Sequence, residues 1–398
     1  MKAESRRVKP ENEDLKPECF SANQYKAVSS GEGPLLIVAG PGSGKTYTLT
    51  ARIKYIIEEL HADPGSVLVM TFSRAAAAEM RGRFLSMGAS GADKVCFGTF
   101  HSVFYRVLRL AYGRLARNYI FDDESGDRIR FDEMLSLTEE LLREREDICI
   151  QIRKKYKWIL IDEFQDIDEL QFRIVKLIAP PHVSPNLTVV GDDDQSIYAF
   201  RGSDPGIMLG FEKVYTGTKK IILDINFRSM EEITVLAGNL IKNNIHRFDK
   251  HISSHRGRGA SVKVLEFADT RSEYMYVAEE IKRSISCGAD ACDIAVLHRN
   301  NMQPWELSQL FREKAIDGTH LMTFHKSKGL EFKEVWIIDA ADGVTPGTRK
   351  DTLETMEEER RLFYVAMTRA KEKLRICYPG IFKNKKLPRS GFIDEFLE

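Results

Sequence analysis

The chain has 398 residues, with 59 lysines and arginines against 59 aspartates and glutamates. That length exceeds one compact core and predicts two domains, while the balanced charge excludes a uniformly basic polyanion binder, so any nucleic-acid groove has to be local. The six cysteines form no CxxC pair, no apolar run approaches the ~20 residues that cross a bilayer, and the charged start lacks a signal-peptide core; a zinc site and a membrane anchor are not expected, and a soluble cytoplasmic protein is.

Taken in order, residues 1–18 are polar, carry Pro10 and Pro17, and read as a flexible tail; Ser21 to Val28 then reads as a short helix. From Leu35 to Leu60 an apolar run meets a glycine-rich loop, and Lys45 and Thr46 open a helix. Leu35 to Val38 suit a strand buried on both faces, and Leu49, Ile53, Ile56, Ile57 and Leu60 recur at helical spacing. Between them Gly40, Gly42, Ser43 and Gly44 form the loop, whose N–H groups would surround an anion at the helix start. Lys45 would reach the outer phosphates and the Thr46 hydroxyl a magnesium ion. Ala39 stands where the strict GxxxxGK[ST] pattern has its first glycine, a small departure.

Strand and helix then alternate: a strand over 67–72, an alanine-rich helix over 73–84, a strand over 95–100, and a helix over 101–112. The charged stretch 114–130 has no clear periodicity. A helix over 131–145, the strand Trp158 to Ile161, a helix over 169–178 ending at Pro180 and Pro181, and the strand Leu187 to Val190 follow. In the second half, strands are expected at 221–223, 262–267, 294–297, 320–323, 335–338 and 374–377, with helices such as 230–241 and 271–286. The basic stretch 243–259 reads as a solvated loop, with contact to a nucleic-acid backbone as the functional alternative.

Asp162 and Glu163 directly follow the WILI strand. In a nucleotide site an aspartate there completes magnesium coordination and the adjacent glutamate deprotonates the attacking water, so hydrolysis rather than binding alone is expected.

The strings AGPGSGKT, TFSRAAAAEM, GTFHS, ILIDEFQD, VVGDDDQSIYAFRGSDP, LDINFRS, LMTFHKSKGLEF and EEERRLFYVAMTRAKEKL occur in that order. Together they resemble the motifs of superfamily 1 helicases of the UvrD, PcrA and Rep branch. The resemblance implies an α/β chain of two RecA-like parallel-sheet cores of the P-loop NTPase kind, at 19–222 and 223–398, with ATP and Mg2+ bound in the cleft between them. It implies that Gln24 reads adenine, that Arg52 lies near the base, that Phe227 stacks on adenine where relatives have tyrosine, and that Glu331 meets the ribose. Gln195 is then a γ-phosphate sensor, and Arg228 and Arg369 are arginine fingers. Phe72, Phe100, His101, Tyr198, Phe200, Arg201, Thr323 and His325 fall in the strand-contacting motifs, Phe200 replacing a tryptophan.

Two accessory insertions of the family are missing or reduced to stubs, between GTFHS and DEFQD and near Ala315 to Thr319. The expectation is a 3′ to 5′ motor on single-stranded or tailed duplex DNA. The alternative is a nucleotide-gated DNA-binding subunit that needs a nuclease or repair partner to unwind.

Overall fold

The computed structural model describes residues 15–89, 91–113, 133–300, 305–347 and 352–398. The expected flexible tail (apart from residues 15–18), the charged stretch from 114 and the start of the helix anticipated at 131 lie outside these residues.

The first half opens with α1 (Ala22–Val28), β1 (Leu35–Ala39), α2 (Lys45–Glu58), β2 (Val67–Thr71), α3 (Arg74–Ser86), β3 (Cys96–Thr99) and α4 (Phe100–Tyr112). It continues with α5 (Glu133–Glu144), α6 (Glu146–Lys155), β4 (Trp158–Ile161), α7 (Glu169–Ile178), β5 (Asn186–Gly191), the short α8 (Pro205–Leu209) and α9 (Phe211–Val214), and β6 (Lys219–Leu223). The strands form one parallel sheet in the order β3-β2-β4-β5-β1-β6. Every residue of β1, β2 and β4 is buried, as a sheet covered on both faces requires. One face packs Phe104, Leu142, Ile152 and Phe172 from α4 to α7, and the other packs Leu49, Ile53, Met80 and Phe84 from α2 and α3.

A two-residue strand β7 (Ile225–Asn226) leads to α10 (Glu231–Ile241), β8 (Ser253–Ser254), β9 (Ser261–Phe267), α11 (Thr270–Ser286), β10 (Ile294–His298), α12 (Trp305–Glu313) and β11 (His320–Thr323). Then come β12 (Phe332–Ile337), α13 (Leu353–Met367), β13 (Ala370–Pro379), the hairpin β14 (Ile381–Phe382) and β15 (Lys385–Lys386), and α14 (Gly391–Leu397). The second sheet is also parallel, in the order β11-β10-β12-β13-β9. Its faces are covered by α10, α13 and α14 and by α11 and α12.

Three features differ from the sequence reading. The strand expected at 221–223 to open the second half is β6, which pairs with β1 at the edge of the first sheet; its Lys219 and Lys220 are exposed, so it lacks the buried run that marks the other strands. The helix expected over 131–145 is followed at once by α6, which the turn at Arg145 separates from α5. The stretch 243–259 is no free loop, for it packs back onto the first core. Among the described residues no helix is long and apolar enough to cross a membrane.

Candidate functional site

The strands of the first sheet deliver their chemistry at their carboxyl ends, where open parallel sheets bind ligands. β1 ends in the phosphate loop, β4 in Asp162 and Glu163, and β5 in Asp192 to Gln195. Gly42 and Gly44 hold φ of 65° and 76°, a left-handed conformation that side chains resist. A Cβ on Gly42 would lie 2.5 Å from Asn226 Oδ1, so glycine also lets the second half approach the loop. Ser43 Oγ is buried without a hydrogen-bond partner, and with the α2 start beside it the loop fits an incoming phosphate oxygen. These residues, Lys45 and Thr46 line a cavity of about 900 Å³ between the cores, with Asp162, Glu163, Gln195, Phe227, Arg228, Glu331 and Arg369 on its walls.

Lys45 Nζ sits 3.4 Å from Glu163 Oε1, a long ion pair that a phosphate can replace. Glu163 adopts φ of 52° and receives Gln165 Nε2 at 2.5 Å. Burial raises the Asp162 carboxyl to about 7, reinforced by the Glu163 charge and opposed by Lys45. Burial would raise Glu163 too, but Lys45 and Lys328 hold it down to about 2. Of the two adjacent carboxyls, Glu163 is thus the more acidic.

From the second core, Arg228 donates through Nε to Glu331 Oε2 at 2.7 Å and through Nη1 to the Thr368 carbonyl at 3.2 Å. Burial would raise Glu331, yet Lys371 and Arg228 bring it to about 2. Arg369 is fully buried; its Nη2 donates to Gln195 Oε1 at 3.3 Å and to Thr368 Oγ1 at 3.0 Å, so side chains from the two cores already touch across the cleft. Burial, with Arg228 nearby, lowers Arg369 to about 9.

The strand-side residues form an aromatic and basic cluster at the same cleft. Phe72 stacks on Tyr198 with centroids 5.5 Å apart and planes 8° apart, and Phe200 meets both Tyr198 and His325 edge-on. Arg201 lies over the rings of Tyr198 and Phe200. Phe200 is 66% exposed. Burial, together with Arg299, lowers the His325 imidazole to about 4, so it is neutral at physiological pH. Thr323 is buried beside it and its Oγ1 accepts the Lys326 N–H.

Four expected residues are placed otherwise. Arg52 is fully buried and donates to the carbonyls of Ala27, Val28, Ser30 and Gly31 and to Thr188 Oγ1. It satisfies the open carbonyls at the end of α1 instead of facing a base. Gln24 lies beside the loop, but its amide is taken up by the Ser43 carbonyl at 2.9 Å and the Ser21 N–H at 2.9 Å, the second closing an N-terminal capping box. Phe100 is 5% exposed and packs on Phe104 in the first core. His101 lies in the first turn of α4 and is half-buried.

Sequence reasoning missed Lys328, Gln165 and Tyr47. Lys328 Nζ reaches from the second core to Asp166 Oδ2 at 2.5 Å, to the Gln195 carbonyl at 2.8 Å and over the Tyr198 ring. Gln165 Oε1 accepts the Asp192 N–H at 2.9 Å and so joins the two acidic loops. Tyr47 lines the cavity and stacks on Phe20 at 5.3 Å. Lys328 and Gln165 lie inside the quoted strings LMTFHKSKGLEF and ILIDEFQD, so their place in the motif set was the available signal, although Lys326 in the first string reads the same way as Lys328.

The UvrD/REP helicase N-terminal domain matches residues 20–128 and 114–216, and the UvrD-like helicase C-terminal domain matches 221–320 and 316–379. Each is matched in two pieces, which overlap at residues 114–128 and 316–320. The chain is 30% identical to the ATP-dependent DNA helicase PcrA of Staphylococcus aureus (strain Mu50) over 361 residues, covering 73% of this chain and 49% of that protein. With PcrA of Staphylococcus epidermidis (strain RP62A) the identity is 29% over 369 residues, 75% and 50% of the two chains. With YjcD of Bacillus subtilis (strain 168) it is 26% over 620 residues, 95% and 81%; that alignment outruns the 398 residues here, so YjcD carries long internal segments this chain lacks. The chain spans about half the length of the PcrA relatives.

Proposed function

The chain belongs to the UvrD/REP helicase family, and on that premise we propose that it is an ATP-hydrolysing motor that moves 3′ to 5′ along single-stranded DNA in the cytoplasm. The observation that carries this reading is that Arg228 and Arg369 of the second core line the same cavity as Lys45, Asp162 and Glu163 of the first.

The loop N–H groups and Lys45 bind the outer phosphates, Lys45 leaving its long contact with Glu163 to do so. Thr46 and Asp162 would hold a magnesium ion, which when bound neutralises charge on those phosphates. Glu163, ionised at neutral pH, accepts a proton from the attacking water. Arg228 and Arg369 meet the charge that develops on the transferred phosphoryl group, a contribution of about 10³ to 10⁵ in rate for such fingers.

Tyr198 and Lys328 belong both to the cavity and to the aromatic cluster. A change in nucleotide state that shifts Lys328 therefore shifts the stacking platform, which is the coupling a motor needs. Because the alignment with YjcD leaves long internal segments of that protein without counterpart in this chain, duplex unwinding by the isolated chain calls for a protein partner such as a nuclease or repair factor.

The test is ATP hydrolysis with and without a single-stranded oligonucleotide, beside unwinding of a duplex carrying a 3′ tail. Stimulation by the oligonucleotide is expected; a rate indifferent to it would defeat the motor reading even if ATP binds.

A further inference from the structure

The stretch 243–259, which the proposed mechanism does not use, crosses from the second core onto the first. Arg247 forms two bonds with Asp194, at 2.9 and 2.8 Å, and the Phe248 N–H donates to Asp193 Oδ2 at 2.8 Å. The Lys250 ammonium, with no exposure, is bonded to Asp192 Oδ1 at 2.7 Å, to Asp193 Oδ1, and to Asp194 Oδ2 at 3.0 Å. Further on, Ile252 packs where a Cβ on Gly40 would stand, 2.6 Å from its Cδ1, and β8 pairs with β7.

Asp192, Asp193 and Asp194 bring three carboxylates within reach of one cation. Lys250 Nζ fills that place, so the set is a lysine socket and not a metal site. Its outlet is what matters for the reaction. Asp192 uses Oδ1 for Lys250 and Oδ2 for Gln195 Nε2 at 2.5 Å. That bond fixes which end of the Gln195 amide faces the cleft, and Oε1 is left to meet Arg369 Nη2. The chain of contacts runs Lys250, Asp192, Gln195, Arg369, without a gap.

We propose that Lys250 and Asp192 are positioning residues for ATP hydrolysis, acting through the orientation of the Gln195 amide. The proposal rests on the ATPase reading given above. Asp192→Asn makes the consequence explicit. The new amide must turn its oxygen to Lys250 and its NH2 to Gln195, so Gln195 has to reverse and present its own NH2 to the Arg369 guanidinium, donor against donor.

The experiment measures strand-stimulated ATP hydrolysis of the full chain, D192N, K250Q, Q195A and the double variants D192N/Q195A and K250Q/Q195A, with thermal unfolding of each as a check. K250Q takes D192N through the same cycle by a second route, so the outcome does not hang on the folding of one protein. The expected result is a kcat about 10²-fold lower in D192N, the scale of a misplaced catalytic group, with the KM for ATP changed by less than about threefold. In the Q195A background neither D192N nor K250Q should lower kcat by more than about twofold further, because a group acting through Gln195 has nothing left to act on. Wild-type kcat in both single variants, or losses that multiply in the double variants, would overturn the positioning role while leaving the motor reading intact. An unmodified chain without strand-stimulated hydrolysis would instead remove the premise.

Discussion

Arg52 gives the sharpest separation between a ligand contact and a structural clamp. Its guanidinium serves five acceptors, four of them carbonyls of the turn that ends α1 and the fifth the Thr188 hydroxyl on β5. Burial lowers its pKa to about 10, so it stays charged at neutral pH. Arg52→Lys keeps the charge but offers three donors on one atom, and at least two acceptors lose their partner. Each charge-assisted bond lost in the interior costs about 1.5–3 kcal/mol, so the variant should be destabilised by about 3–6 kcal/mol. For a core of this size that is a drop of about 10 to 20 °C in the unfolding midpoint. Circular dichroism melting reads the midpoint, and displacement of a fluorescent nucleotide by ATP and by GTP at a temperature where both proteins are folded reads base preference. The clamp predicts a large fall in midpoint with the ATP over GTP preference unchanged. An unchanged midpoint with that preference lost would refute the assignment and return Arg52 to the base.

Glu163→Gln should lower ATP turnover by about 10² to 10⁴-fold in single-turnover measurements. Because Lys45 is then free for phosphate, the same variant should bind ATP about fivefold more tightly, the equivalent of about 1 kcal/mol for a partly exposed ion pair; weaker binding would contradict the displacement of that pair. Arg201→Ala should reduce the salt dependence of oligonucleotide affinity by about 0.7 in log–log slope, whereas His325→Ala should leave the slope alone and cost about 1–3 kcal/mol of stacking. The His325 pKa falls from 6.5 to about 4 on folding, so its share of stability is present above pH 6.5 and is lost as pH drops from there toward 4. An acid melting series of the parent and His325→Ala, with the variant less sensitive over that window, checks the sign. Lys328→Met should lower strand-stimulated kcat at least about tenfold, a coupling of about 1.4 kcal/mol, with nucleotide-free oligonucleotide affinity nearly unchanged; retained stimulation would mean the coupling runs elsewhere.

What the sequence made legible follows from how local each signal is. The phosphate loop between β1 and α2 was readable because an apolar run, glycines and a helix face sit within 26 residues, and Asp162 and Glu163 because they directly follow WILI. Arg228, Glu331 and Arg369 were reached through an ordered motif set, and the structure gathers them in the cavity that holds Lys45. Arg52 was assigned to the base because the chain cannot announce that the nearest open acceptors are the carbonyls ending α1. Phe100 looked like a strand contact because an aromatic after GT reads the same whether its ring points out or in. Lys250 was invisible for a related reason: its partners lie 56 to 58 positions earlier, and no periodicity reports an ion pair across that distance. The edge strand β6 was assigned to the wrong half since parallel pairing leaves no mark of which sheet a short apolar run joins.

The route of the backbone also decides where this protein could be taken apart. It leaves the first core after β6, returns to it at residues 247–252, and only then commits to the second sheet at β9. A gene fragment stopped at Leu223 would keep Asp192, Asp193 and Asp194 but not the ammonium that answers them, and would bare the face of Gly40 that Ile252 covers. A fragment carried to Ala260 would keep both. Dissection into halves, or fusion of either half to another protein, therefore has its seam some 37 residues later than the edge of the sheet suggests, about the span from Leu223 to Ala260.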